Sequence, residues 1–346
     1  MRSLSIAALA LLVSSGSLAL ASNHGLAPGL VNPGYDEKPA WFKASFLDIR
    51  EDLAEASAAG RRVVLYFYQD GCPYCAKLLR EGFADQEIAA LARGSFDVIA
   101  LNIWGDREVT GFDGVQTTEK GFAAALKVQF TPSLVMLDED GQTVLRIDGY
   151  FPPHRLRTAL DYVAQRRDRQ GQRFPDFYLA ADPRAASGTL PTEGGFLTPP
   201  LRLARQGYGA DRPLLMMFEQ PNCAACDELH QDILRRPPVA WSLTAFDAAV
   251  ANAWSNEPVQ TPDGRELPLR AWSAELGIEY TPSLVFFDAR GQEVFRTAGY
   301  LKAFHIHGAL DYVATGAYRS QPNFQRYLEA RRGAMEARGF KVDLME

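Results

Sequence analysis

The amino-acid sequence predicts an α/β protein of two tandem domains, each with a mixed central sheet flanked by helices. The first observation is an internal repeat at an offset of 150 residues: TPSLV at 131–135 returns at 281–285, and ALDYVA at 159–164 returns at 309–314. Self-similarity of this kind indicates duplication of a whole structural unit. The second observation is that strand and helix patterns alternate within each repeat before a final hairpin. That order predicts parallel strands joined by crossovers, plus an antiparallel pair.

Each element of the first repeat has its own local signal. Apolar residues at helical spacing end on Gly60, which indicates a helix stop, and VVLYFY is a short apolar run typical of a buried strand. Thr117 is the predicted N-cap of a later helix, and EDGQ at 139–142 predicts a hairpin turn. The predicted elements are a helix at 45–60, a strand at 63–68, a helix at 72–93, a strand at 96–103, a helix at 117–128, strands at 133–138 and 143–150, and a closing helix at 154–167.

The N-terminus resembles an export signal. Arg2 precedes an apolar stretch, and ALA at 19–21 is a small-x-small cleavage site, so residues 1–21 are predicted to be removed and the mature protein to be periplasmic. No later segment is apolar enough to span a bilayer, so no stable membrane insertion is expected after cleavage. The predicted domains are 22–180 and 201–346, joined by a Pro/Gly-rich linker at 181–200, before a second copy whose first helix is shortened or missing. With a net charge of -6, nothing favours nucleic acid as a partner.

All four cysteines lie in C-x-x-C pairs, Cys72 with Cys75 and Cys223 with Cys226. Each pair follows a predicted strand and opens a predicted helix. The first cysteine then lies at the helix N-terminus, where free N–H groups favour the thiolate, which is the nucleophile. The second lies one turn further on, where it can attack a mixed disulfide. Pro73 suits the first helical position because its missing N–H costs nothing there.

Two other uses of the cysteines remain open from the residues alone. Two C-x-x-C pairs can form a zinc site, although each pair here belongs to a separate domain and follows a buried strand, so no metal is expected. A permanent structural disulfide across four residues constrains little chain entropy. His230, His305 and His307 are interpreted as surface or helix-start histidines, and Trp104 and Trp254 as packing residues.

Strand, C-x-x-C, helix and then Thr-Pro before a hairpin resembles the thioredoxin superfamily. More narrowly, VVLYFYQDGCPYC, NIWG and FTPSLVMLDEDG resemble exported thioredoxin-related proteins of the SoxW type. The first copy matches over most of 40–167 and the second over about 210–330. The resemblance implies two tandem thioredoxin-like domains that exchange protein disulfides and dithiols without a bound cofactor. It also implies electrons from a membrane thiol carrier of the DsbD or CcdA kind.

The resemblance also implies residue roles. Cys72 and Cys223 would attack, and Cys75 and Cys226 would resolve. A cis-proline loop would lie beside each dithiol. The expected substrate-binding residues are Pro73, Tyr74, Thr131, Pro132, Thr281 and Pro282.

The sequence departs from the family pattern in two respects. The buried acid six positions before the first cysteine is replaced by Tyr66 and by Met217. The charges also differ: Lys77 and Arg80 follow Cys75, whereas Asp227 and Glu228 follow Cys226. Since nearby cations favour a thiolate, the hypothesis is that Cys72 has the lower pKa. The predicted function is a thiol–disulfide oxidoreductase that acts as a reductase or electron carrier. The alternatives are a disulfide oxidase or isomerase, and a non-catalytic binding module.

Overall fold

The structure, a computed structural model, describes residues 34–181, 186–205, 211–298 and 301–344. The predicted export signal at 1–21 lies outside these residues. The elements of the first domain are α1 (Ile49–Ala58), β1 (Arg62–Tyr68), α2 (Pro73–Lys77), α3 (Gln86–Ser95), β2 (Phe96–Asn102), β3 (Glu108–Thr110), β4 (Gln116–Thr118), α4 (Glu119–Ala125), β5 (Ser133–Leu137), β6 (Thr143–Asp148), α5 (Pro153–Ala164) and α6 (Phe174–Ala181).

The main sheet of the first domain has the strand order β2-β1-β5-β6. β1 runs parallel to β2 and antiparallel to β5, and β5 runs antiparallel to β6. All but the last residue of β1 are buried, as expected for a central strand covered by helices on both faces. The predicted mixed sheet is therefore confirmed, and β1 leads directly to the first C-x-x-C pair.

The second domain repeats this architecture with the order β8-β7-β11-β12. β7 is parallel to β8 and antiparallel to β11. Its elements are β7 (Leu214–Glu219), α7 (Ala224–Gln231), α8 (Pro237–Leu243), β8 (Asp247–Asn252), β9 (Pro258–Gln260), β10 (Glu266–Pro268), α9 (Leu269–Glu275), β11 (Ser283–Phe287), β12 (Glu293–Ala298), α10 (Ala303–Ala314) and α11 (Phe324–Glu336).

Two local predictions for the first domain are wrong. The single helix expected at 72–93 is divided into α2, a π-helical stretch at Leu78–Phe83, and α3. The division follows from Asp85, whose carboxylate accepts hydrogen bonds from the amides of Glu87 and Ile88 and so starts a new helix. The N-cap of α4 is Thr118, whose hydroxyl accepts from the Gly121 amide. Thr117 instead lies in β4, which forms with β3 a small hairpin that the sequence pattern did not indicate.

Residues 186–205, which include most of the predicted linker, pack along the second domain. Leu197 forms a bridge with Ala249 of β8, and Leu201 and Leu203 are buried in the core on one side of the sheet. Within the described residues of this stretch and of 211–213 there is no helix, in agreement with the shortened second copy.

Each domain inserts one aromatic side chain into the core of the other. Phe130, just before the Thr-Pro of the first domain, packs against Phe295 and Phe324 in the core of the second. Tyr280, at the matching position, lies in the core of the first domain, and its hydroxyl oxygen accepts a hydrogen bond from the Asp148 amide at 3.3 Å. The outer strands β6 and β12 lie against each other between these contacts. This reciprocal packing fixes the position of each Thr-Pro loop against the opposite domain.

Candidate functional site

The first C-x-x-C pair lies at the junction of β1 and α2. Cys72 and Cys75 form a disulfide, with their Cα atoms 5.2 Å apart. Gly71 turns the chain with a φ of +72°, which a residue with a side chain rarely adopts. Cys72 is then the N-cap of α2, and its sulfur accepts a hydrogen bond from the Cys75 amide at 3.1 Å. In the reduced protein the same amide would stabilise a thiolate on Cys72.

The Thr-Pro loop reaches this sulfur from the sheet. The peptide bond between Thr131 and Pro132 is cis. The carbonyl oxygen of Thr131 lies 3.4 Å from the Sγ atom of Cys72, and its hydroxyl donates to the same sulfur at 3.5 Å. The structure thus brings together the two segments, about sixty residues apart, that the sequence singled out.

The second pair has the same local geometry. Cys223 and Cys226 form a disulfide with a Cα separation of 5.2 Å, and Cys223 is the N-cap of α7. Its sulfur accepts from the Cys226 amide at 3.1 Å. The bond between Thr281 and Pro282 is cis, and the Thr281 hydroxyl donates to Cys223 at 3.5 Å. Both C-x-x-C pairs therefore lie in the same arrangement.

The second domain contains a buried Glu–His pair, next in sequence to the second dithiol, that the sequence pattern did not indicate. Glu219, at the end of β7, is 0% exposed, and its carboxylate lies 2.9 Å from Nε2 of His230. The other ring nitrogen of His230 lies 3.1 Å from Glu193, in the segment that precedes the domain. The prediction of a surface position for His230 is wrong, since this residue is 2% exposed. The spacing of His230 four residues after Cys226 was the available signal, but nothing in it pointed to Glu219.

Burial and pairing act together on this Glu–His pair. Burial raises the pKa of Glu219, because a desolvated carboxylate is disfavoured, although its hydrogen bond with His230 opposes that effect. Burial also opposes a charged imidazolium, but the contacts with Glu219 and Glu193 outweigh it and raise the pKa of His230. Leu79 occupies the position corresponding to His230 in the first domain, so this pair distinguishes the two sites.

The position of the acid found in thioredoxins is held by neutral groups in both copies. Tyr66 is fully buried on β1 and stacks on Tyr68, and burial raises the pKa of its phenol. Met217 is the corresponding fully buried residue of β7. Glu219 lies two residues further along the same strand, on the same face of the sheet as Met217 and nearer the dithiol.

The charged residues after each pair have partners of their own. The Lys77 ammonium lies 3.8 Å from the Glu81 carboxylate, one turn along the chain. The Asp227 carboxylate accepts hydrogen bonds from the amide and the hydroxyl of Ser187. The proposed difference in thiol pKa between Cys72 and Cys223 stays a prediction. Among the residues that the structure describes, no cluster of His, Cys, Asp and Glu could hold a metal ion.

A cleft of about 240 Å³ adjoins Cys72. Pro73, Tyr74, Trp104 and Thr131 line it from the first domain. Trp104, interpreted from sequence as a packing residue, thus also faces the cleft, and its indole N–H donates to Gln69 at 2.7 Å. The opposite wall comes from the second domain, and its members are Phe304, His305, Gln325, Leu328, Glu329, Arg332 and Leu344.

Comparison with known proteins agrees with this geometry. The family model described as "Thioredoxin-like domain" matches twice, at residues 49–164 and 206–314, which is more than half of the chain. The chain belongs to the thioredoxin-like family. Both thioredoxin-like domains contain a C-x-x-C pair, so the tandem duplication predicted from the sequence is confirmed. A comparison with curated protein sequences finds no match.

Several solved structures are similar to parts of this thioredoxin-like chain. A thioredoxin from Thermus thermophilus is 26% identical, covering 36% of this chain and 91% of its own, with a TM-score of 0.30. A thioredoxin-fold protein from Helicobacter pylori is 21% identical, covering 32% and 73%, with a TM-score of 0.29. A disulphide isomerase from Xylella fastidiosa is 15% identical, covering 41% and 99%, with a TM-score of 0.24.

Proposed function

We propose that this protein is a thiol–disulfide oxidoreductase that exchanges disulfides and dithiols with protein substrates, acting as a reductase or electron carrier. The observation that supports this most strongly is the arrangement around Cys72. Its sulfur accepts an amide hydrogen bond at a helix start and lies 3.4 Å from the carbonyl oxygen of the cis-proline loop. Cys223 occupies the matching position in the second domain.

In the reducing direction, the reaction begins with a Cys72 thiolate. The thiolate attacks one sulfur of the substrate disulfide, forms a mixed disulfide and releases the other substrate sulfur as a thiolate, which takes a proton. The amide of Cys75 holds the negative charge of the attacking sulfur before this step. Thr131 contacts the sulfur and, together with Pro132, would position the substrate chain beside it.

Resolution uses the buried partner cysteine. Cys75, deprotonated, attacks the Sγ atom of Cys72, the mixed disulfide breaks, and the second substrate sulfur leaves as a thiolate. The substrate has then gained two electrons, and the protein is left with the Cys72–Cys75 disulfide that the structure contains. Cys223 and Cys226 would perform the same two steps, with Glu219 and His230 close by.

The cellular setting is part of the proposal and rests on the sequence. Residues 1–21 would direct export to the periplasm, and a membrane thiol carrier of the DsbD or CcdA kind would supply two electrons to each disulfide to regenerate the dithiol, as in proteins of the SoxW type. Within the described part of the chain, no helix has the length and apolarity needed to cross a membrane.

Trapping of mixed disulfides tests the proposal. A Cys75→Ser variant and a Cys226→Ser variant each keep the attacking cysteine but lose the resolving one, so substrate proteins should accumulate as covalent adducts in cells. The matched controls are Cys72→Ser/Cys75→Ser and Cys223→Ser/Cys226→Ser, which should trap nothing at the altered site. If no variant traps a protein and the folded wild type reduces no insulin disulfide, the proposed function is wrong and a binding module is favoured.

The direction of electron flow follows from the reduction potentials. Equilibration of each site with glutathione should give values near that of thioredoxin, about −270 mV, for a reductase. Values near −120 mV, typical of strong oxidants, would instead favour the oxidase or isomerase. The buried Glu219–His230 pair belongs to the second domain, and Leu79 holds the position of His230 in the first, so we expect the two sites to have different potentials.

A further inference from the structure

The second domain forms one wall of the cleft beside the first dithiol. Phe304 and His305 come from the first turn of α10, and Leu328 and Arg332 come from α11. At the second site, Arg173 of the first domain lies over Trp254, the counterpart of Trp104, at 5.3 Å from the ring centroid. Each domain therefore reaches the tryptophan beside the dithiol of the other.

Contacts across the interface hold this wall in place. The His305 ring packs edge-on against Tyr74 at 5.2 Å between ring centroids. The Gln69 side-chain amide donates to the Gln325 side-chain oxygen at 3.0 Å, and the Gln325 amide donates to the carbonyl of Gln129 at 3.0 Å. These bonds join α11 to the strand end and to the Thr-Pro loop of the first site.

Two further contacts hold the second domain against the first near Cys72. The Arg326 guanidinium lies 4.9 Å from the Trp104 ring, on the far side of the same cleft. Phe130 is buried in the second domain, and the next residue, Thr131, contacts Cys72. Widening the cleft would therefore require breaking the aromatic packing between the domains.

The dimensions of the cleft limit what reaches Cys72. The residue is 5% exposed, and the cleft volume of about 240 Å³ is smaller than the roughly 300–1,000 Å³ of ordinary small-molecule pockets. An extended segment of a few residues can enter such a space, whereas the broad surface of a folded protein meets α11 first. The rim carries Asp70, Glu329 and Arg332, charges of both signs, so selection by shape is favoured over selection by charge.

We propose that the second domain restricts the first dithiol to disulfides on short, extended peptide segments and excludes disulfides on the surface of a folded protein. The inference rests on the proposed function, since it concerns the substrates of the same site. Phe304, Leu328 and Arg332 become residues of the second domain that determine the specificity of the first.

Two probes with the same leaving group test this inference. One is a hexapeptide with a central cysteine, and the other is a folded domain with one surface cysteine; each is carried as its mixed disulfide with 5-thio-2-nitrobenzoate. Attack by a protein thiolate forms a new disulfide with the probe cysteine and releases the coloured thiolate. Each rate is divided by the rate of the same probe with dithiothreitol, which removes differences in intrinsic reactivity.

Double variants of the full chain leave one reactive site at a time. With Cys223→Ser/Cys226→Ser only the first site reacts, and with Cys72→Ser/Cys75→Ser only the second. We expect the first site to prefer the peptide by at least about 30-fold. A preference of no more than about threefold at the first site would overturn the inference. Absence of reaction with both probes at both sites would overturn the proposed function, and this inference with it.

Variants of the wall residues test the inference at the first site alone. Phe304→Ala, and separately Glu329→Ala/Arg332→Ala at the more exposed rim, should lower the peptide preference of the first site at least about fivefold by raising the rate with the folded probe. Leu179→Ala, on the corresponding helix α6 and outside the lining of the cleft, should leave the preference unchanged. An unchanged preference in both wall variants, with folding retained, would show that the wall does not select substrates.

Discussion

His305 should make the protein less stable in mild acid, and replacing it with phenylalanine should remove that effect. The imidazole packs between Tyr74 and Phe304, and its Nδ1 atom is buried with no hydrogen-bond partner in the described part of the chain. Burial without a compensating charge lowers the pKa of His305 from 6.5 to about 4. The phenylalanine ring keeps the aromatic contacts but does not titrate.

The magnitude and its sign follow from linkage. Above pH 6.5 the imidazole is neutral in both the folded and the unfolded chain, so it adds no pH dependence. Below pH 6.5 the unfolded chain binds a proton that the folded protein does not bind until near pH 4. The free energy of unfolding therefore falls as the pH drops through this window. The loss is about 2 kcal/mol at pH 5 and about 3 kcal/mol in the limit, at about 1.4 kcal/mol per pKa unit.

The assay compares urea unfolding of wild type and His305→Phe at pH 7.5 and pH 5.0. The stability of the variant relative to wild type should increase by about 2 kcal/mol between these conditions. Phe304→Leu is the matched control, since it alters packing at the same place without removing a titrating group, and its effect should be the same at both pH values. A ring resonance of His305 that titrates near pH 6.5 by NMR would refute the reasoning.

Three further substitutions test the packing around the sites by urea unfolding. His230→Leu should lower the free energy of unfolding by about 3–5 kcal/mol because it leaves Glu219 buried and uncompensated. Adding Glu219→Leu should recover most of that loss. A double variant as unstable as the single one would contradict this. Tyr280→Phe removes the acceptor of the Asp148 amide and should cost about 1 kcal/mol, so an unchanged stability would argue against the bond. Phe130→Ala should cost about 3–5 kcal/mol by emptying its place in the opposite core, and a loss below 1 kcal/mol would contradict the reciprocal packing.

Much of the fold and the dithiol geometry could be predicted from sequence because the signals are local or repeated. VVLYFY has the composition of a buried strand wherever it occurs, and a C-x-x-C pair directly after such a strand lies at a helix start. Duplication strengthened each signal, since TPSLV recurs at nearly the same distance from both pairs, 59 residues after Cys72 and 58 residues after Cys223. The predicted helix at 72–93 is divided because Asp85 caps a new helix, and a continuous helical pattern of apolar residues does not reveal such a break.

Two thioredoxin-like domains with two C-x-x-C pairs could be predicted from the amino-acid sequence alone. What surrounds each pair depends on the tertiary structure. Glu219 meets His230, and His305 meets Tyr74, through contacts between elements that no periodicity relates. The physical reason is that strand and helix patterns depend on neighbours a few residues away, whereas the partner of a buried polar group and the access to a sulfur depend on how whole domains pack together.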